Sequence, residues 1–106
     1  MILQYLNQDQ YISREQLVKL SGLCDRTVRK EIENLRLLGI VVCSHSEGLG
    51  YKLAATEKEH NQTRRLYESR IESELEVLKA CFGNDKVRNF LMKQIIIINE
   101  EEKWLI

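Results

Sequence analysis

The 106 residues contain no proline, which leaves five glycines to punctuate the chain. An excess of charge of one sign is missing too. Sixteen Lys+Arg stand against sixteen Asp+Glu, for a formal net charge of 0. That excludes a polybasic, histone-like binder, although a basic face balanced by acids elsewhere remains open. The longest apolar runs, Ile40 to Cys43 and Ile95 to Ile98, are far below the roughly 18 residues that a transmembrane helix needs. Met1-Ile2-Leu3-Gln4 has neither the basic stretch nor the apolar core of a signal peptide, so a cytoplasmic protein without a membrane segment is expected. The three cysteines, Cys24, Cys43 and Cys81, are odd in number, widely spaced and free of any CxxC pair. Reduced thiols fit that pattern better than a disulfide framework does. The chain also has no G-x-S-x-G, P-loop or HExxH, so no enzymatic activity is expected. What is present, 43% hydrophobic and 30% charged residues, is the composition of a soluble globular domain.

Gly22, Gly39, Gly48, Gly50 and Gly83 each fall where a periodic segment ends. A short helix is expected over residues 2–7, with Ile2, Leu3 and Leu6 as its apolar stripe. A second begins after Ser13, whose hydroxyl can form a capping box with Gln16, and it stops at Gly22. Asp25 is a candidate N-cap for a third helix over residues 26–38, ended by Gly39. Thr56 and Glu59 form another capping box and open a long helix toward Phe82 and Gly83. Between the third and fourth helices, Ile40-Val41-Val42-Cys43 and Tyr51-Lys52-Leu53 flank a polar loop with two glycines, the pattern of a β-hairpin. Tyr11-Ile12 can add a third strand to it.

Residues 13–38 therefore read as a helix-turn-helix. At about 100° per residue, Val28, Ile32 and Leu35 lie within about 60° of one another and form the buried stripe of the third helix. Arg26, Lys30, Glu33, Asn34 and Leu37 then face away from the stripe, with Thr27 and Arg29 on the flanks. Arg26, Arg29 and Lys30 crowd the start of this helix, where the backbone dipole disfavours cations. Such a placement suits a recognition helix, whose first turns enter the major groove and meet phosphates and guanine edges. The hairpin would be the wing, its tip at residues 44–50 lying on the sugar-phosphate backbone and Lys52 just behind it. Residues 13–53 hold seven cations (Arg14, Lys19, Arg26, Arg29, Lys30, Arg36, Lys52) against five acids (Glu15, Asp25, Glu31, Glu33, Glu47), net +2. Few phosphate contacts and moderate affinity follow.

The segment from Ser13 through "Val-x-x-x-Ile-x-x-Leu-x-x-x-Gly-Ile" (Val28 to Ile40) to "Gly-x-Gly-Tyr-x-Leu" (Gly48 to Leu53) resembles the winged helix-turn-helix domain of bacterial biotin repressors and related small regulators, including phage- and plasmid-borne ones. The likeness covers residues 11–54. It implies sequence-specific binding of double-stranded DNA, with base and phosphate contacts at Arg26, Thr27, Arg29, Lys30 and Asn34 and wing contacts from Ser46 through Gly48 to Gly50. Only residues 56–106 follow, so neither ligase activity nor biotin sensing is implied.

From Thr56 to Phe82 the residues Leu66, Ile71, Leu75, Leu78 and Phe82 recur at helical spacing, in a helix of about 26 residues, ~39 Å long. Residues 85–98 place Val87, Leu91, Ile95 and Ile98 on one face of a further helix, although four consecutive isoleucines favour a strand by propensity. Trp104-Leu105-Ile106 form an apolar tail. The expected architecture is mainly α with a small β-hairpin (α+β). A winged helix-turn-helix over residues 1–55 is followed by a helical extension over residues 56–106 that forms a homodimer. Cys43, His45 and Glu47 offer metal-ligand types on alternate residues but no second cluster joins them, so neither metal nor cofactor is expected. The acidic pairs Glu68/Glu72 and Glu72/Glu76 are read as a solvated helix face. The competing reading is a winged-helix adaptor that binds another protein and not DNA.

Overall fold

The computed structural model describes residues 2–45 and 47–103; the wing residue Ser46 and the apolar tail Trp104-Leu105-Ile106 lie outside the described residues. A 3-10 turn, Ile2–Tyr5, is followed by α1 (Arg14–Ser21), α2 (Asp25–Leu37), β1 (Val42–Ser44), β2 (Tyr51–Leu53), α3 (Glu57–Phe82) and α4 (Asn84–Lys103). This is a mainly helical α+β winged helix with one two-stranded antiparallel hairpin.

Local chemistry sets most boundaries. The Gln16 amide donates to Ser13 Oγ at 3.1 Å and the Ser13 amide to Gln16 Oε1 at 3.3 Å, a complete capping box that starts α1. Gly22, at φ 74, ends the helix in the left-handed conformation, its amide donating to the Val18 carbonyl at 3.0 Å. Two expectations need correction. The first helix is only the turn Ile2–Tyr5, because Asn7 Oδ1 accepts the amides of Asp9 and Gln10 at 3.0 and 2.6 Å and turns the chain. Asp25 is not the N-cap of α2. Cys24 holds that position without a side-chain cap bond, and Asp25 is the first helical residue. Its carboxylate is taken instead by Arg29 at 3.0 Å and Arg14 at 3.7 Å, and it still benefits from the positive end of the helix dipole.

The core joins the stripe of α2 to the elements around it. Val28, Ile32 and Leu35 are 0%, 2% and 4% exposed, clustered with Leu17 of α1, Ile2 and Leu6 of the first turn, and Val42 of β1. Each such side chain contributes roughly 1.5–3 kcal/mol by leaving water. Val42 pairs with Leu53, Cys43 with Lys52 and Ser44 with Tyr51 across the hairpin. The anticipated third strand is a single bridge, in which Ile12 and Tyr51 exchange two 2.9 Å hydrogen bonds.

The chain divides into two units, Met1–Leu66 and Tyr67–Ile106. The first unit takes in the start of α3, which is bonded to the hairpin. Glu59 and Thr56 complete their capping box, with the Thr56 amide donating to Glu59 Oε1 at 3.2 Å and the Glu59 amide to Thr56 Oγ1 at 3.2 Å. Glu59 also pairs with Lys52, and Thr63 Oγ1 donates to Cys43 Sγ at 3.4 Å. In the second unit Gly83, at φ 91, separates α3 from α4. Isoleucines 95–98 are helical, so local helical continuity overrides their strand propensity. Among the described residues no helix is long and apolar enough to cross a membrane.

Gly50 sits at φ 124 where a Cβ would overlap the Ile12 carbonyl and the Ser13 Cα, so both the space and the backbone demand glycine. Gly50→Ala is expected to cost about 2 kcal/mol or more, measured by urea denaturation. Gly48→Ala, at φ 75 with open space around it, is expected to cost less. Equal losses at the two positions would contradict the close approach of wing and bridge.

Candidate nucleic-acid interface

Burial of Val28, Ile32 and Leu35 fixes how α2 is rolled, and the roll decides which side chains meet solvent. Arg26, Arg29, Lys30 and Asn34 are exposed and Thr27 is half-buried. The side chains of Arg26, Lys30 and Asn34 make no ion pair or hydrogen bond among the described residues. Arg29 is oriented along the helix by Asp25 one turn earlier, and Asp25 is shared with Arg14 of α1. All three remain about half exposed, so an incoming phosphate or base edge can compete for either guanidinium. At the mouth of α2, Cys24 Sγ lies 3.2 Å from Thr27 Oγ1. Hydrogen bonding from the Thr27 hydroxyl and amide holds the Cys24 thiol below its ordinary value of 9.0.

The wing is built on Gly50 and His45. The His45 amide donates to the Gly50 carbonyl and the Gly48 amide to the His45 carbonyl, both at 2.9 Å. The Glu47 amide donates to His45 Nδ1 at 3.1 Å, and the imidazole meets the Tyr11 ring edge-on with centroids 4.8 Å apart. These bonds shape the tip around Gly48, which is exposed. At the wing's base a cleft of about 200 Å³ is lined by Arg14, Ser44, His45, Gly48, Gly50 and Tyr51. Arg14 was not among the candidate contacts. Its signal is of the kind that singled out α2, a cation at the start of a helix, where the dipole opposes it. Arg36, by contrast, is structural: its guanidinium donates to the Val42 carbonyl at 2.8 Å and to Ser44 Oγ at 3.0 Å, tying α2 to β1.

The remaining described candidate, Lys52, is already engaged by other groups. Only 13% exposed, its ammonium pairs with Glu59 of α3, donates to the Gln8 carbonyl at 3.3 Å and lies 5.5 Å from the Tyr11 ring centroid. It is a strut joining the hairpin to α3. Beside it the Glu59 carboxyl is lowered from 4.5 to about 2, first by the hydrogen bond from Lys52 and then by the Ala55 amide. The Lys52 ammonium is raised above 10.5 by the same bond. The cleft beside the strut, about 350 Å³, is lined by Tyr11, Cys43, His45 and Glu59 among others. Among the described residues no three His, Cys, Asp or Glu side chains converge as metal ligands.

Residues 1–48 match the DeoR-like helix-turn-helix domain. With α1, the Gly22 turn, α2 and the hairpin arranged as above, the chain carries a helix-turn-helix DNA-binding domain, that of a DNA-binding regulator. No curated protein and no solved structure matches the chain.

The strut has a definite pH signature. Because the folded Glu59 carboxyl titrates at about 2 rather than 4.5, its stabilisation is complete above about pH 4.5 and is lost as pH falls toward 2. Lys52, raised in the folded state, contributes fully below 10.5 and loses its contribution as pH climbs through its folded value. The thermal midpoints of wild type and Glu59→Gln, followed by circular dichroism, are expected to differ at neutral pH and to converge as pH falls from 4.5 to 2. A constant gap across that range would contradict the pairing.

Proposed function

We propose that the protein is a sequence-specific double-stranded DNA-binding regulator that works by occupancy of its site and not by catalysis. The observation that carries this reading is the outward face of α2, where Arg26, Arg29, Lys30 and Asn34 are exposed while the opposite face is sealed in the core. Arginine or lysine reads guanine O6 and N7 in the major groove, and asparagine reads adenine N6 and N7. Thr27 and Arg14 reach phosphates on either side, and the wing, through Ser46 and Gly48, lies along the backbone. Lys52 acts behind this surface by holding the wing. The domain is of the biotin-repressor-like winged type, without a ligase function, and the regulator serves a phage, plasmid or other mobile element of bacteria as a transcriptional or replication and partition factor.

The protein acts as a homodimer through its C-terminal helices, whose large apolar side chains are exposed in the single chain. Two-fold pairing sets the recognition helices about one DNA turn apart, roughly 34 Å, on a palindromic site. The same apolar exposure favours the second reading, a protein-docking adaptor, and DNA affinity separates the two.

Selection from random duplexes is expected to return one inverted repeat. On that duplex, fluorescence anisotropy of Arg29→Ala/Lys30→Ala should show at least about a tenfold loss of affinity, at about 1–3 kcal/mol for a lost base contact. Wild-type affinity should fall steeply with salt. No association at low salt, or unchanged affinity in the folded variant, would overturn the DNA reading and favour the adaptor.

A further inference from the structure

Two features of the second unit fit each other. The first is an open apolar groove of about 470 Å³ along α3, lined by Tyr67, Ile71, Leu75, Leu78 and Phe82 together with Phe90 of α4. From Ile71 to Phe82 its α3 residues follow a 4-3-4 spacing, which forms holes for the side chains of a facing helix. The second is the isoleucine turn of α4. At about 100° per residue, Ile95, Ile96, Ile97 and Ile98 point in four directions around the helix axis, and all four are 48–59% exposed. An ordinary amphipathic helix buries a stripe little more than about 100° wide. One neighbouring helix therefore cannot cover this turn.

The area involved sets the scale of the partner. Eleven large apolar side chains between Tyr67 and Ile98 are left 38–67% exposed among the described residues. Summed around both helices, that is on the order of 1,000 Å² of accessible surface, enough to supply the ~800 Å² that each partner gives to a standard interface. Within one chain the groove and the isoleucine turn are both left open, so neither fills the other. A second copy brings both at once, in the reciprocal manner that closes a two-fold dimer. An antiparallel seating brings opposite charges together at one end: Arg70 stands toward the N-terminal end of the groove, ahead of Glu74, and Glu101 and Glu102 follow the isoleucines.

The geometry points to a two-copy, four-helix bundle in which the α3 groove of each copy receives the isoleucine turn of α4 from the other. This rests on the homodimer reading above and specifies how it is made. Ile95 and Ile97 lie about 200° apart around α4, and both are enclosed in such a bundle. A simple two-helix seam would enclose only one of them.

Light scattering of the full chain, with dimer dissociation constants from sedimentation, tests this. Wild type is expected at twice the 12.5 kDa chain mass. Ile95→Ala, Ile97→Ala and the groove variant Ile71→Ala are each expected to weaken the dimer by about tenfold or more. Alanine is a better helix former than isoleucine, and far-UV circular dichroism at concentrations where the variants are dimeric confirms that α4 is retained. A wild-type dimer weakened by only one, or by neither, of Ile95→Ala and Ile97→Ala would overturn the bundle while leaving the homodimer standing. Unchanged pairing in Ile71→Ala would overturn the groove as its seat, and a larger wild-type oligomer would overturn the two-copy form. A monomeric wild type would overturn both bundle and homodimer.

Discussion

The roll of α2 about its own axis is the constraint on which the DNA-binding unit depends. Three side chains set it. Val28, Ile32 and Leu35 are almost wholly removed from water against Leu17, Ile2 and Val42, and turning the helix by one residue would expose apolar surface while drawing arginines inward. Protein interiors are packed closely enough that such a change is not graded. Arg26, Arg29 and Lys30 are consequently held outward by what lies behind them, even though they crowd a helix start that opposes positive charge. Asp25 eases that crowding by accepting both Arg29 and Arg14, so the acid nearest the proposed interface orders it without neutralising it.

Much of this arrangement could be read from the residues because its determinants are local. Ser13 with Gln16 and Thr56 with Glu59 are short-range boxes, Gly22 needs only a left-handed backbone, and the stripe of α2 is a matter of period. What could not be read depends on partners distant in the chain. Asp25 has the chemistry of an N-cap, but a choice between an amide and two guanidiniums is settled by where Arg14 arrives, eleven positions earlier. Lys52 lies next to the wing in sequence, yet Glu59 and the Gln8 carbonyl occupy its ammonium. Arg14 is the converse case, one of seven cations over residues 13–53, brought by the fold to the base of the wing. The first helix shortened to a turn because Asn7 had nearby amides to satisfy.

The two units obey opposite rules of burial. In the first, the apolar periodic residues find partners within the chain. In the second, α3 and α4 keep helical form while most of their apolar side chains remain open. Helices in proteins draw most of their stability from a packed apolar face and not from propensity, and here that face is left open. The proposed division of labour follows from this contrast: the hairpin, α1 and α2 for DNA, and the helical extension for pairing of copies. A balanced net charge is compatible with this design, because the cations need only be concentrated on one face of one helix.

The central claim is that the outward face of α2, flanked by the wing, is where duplex DNA sits. Its most direct test is an amide shift map, recorded by NMR as a duplex carrying the selected site is added to the full chain. The account predicts that the largest changes fall on residues 25–34 and on the wing at 47–50, with the buried amides of Val28 and Ile32 moving less than those of Arg26, Arg29 and Lys30. Changes confined to α3 and α4, with α2 untouched at saturation, would contradict it.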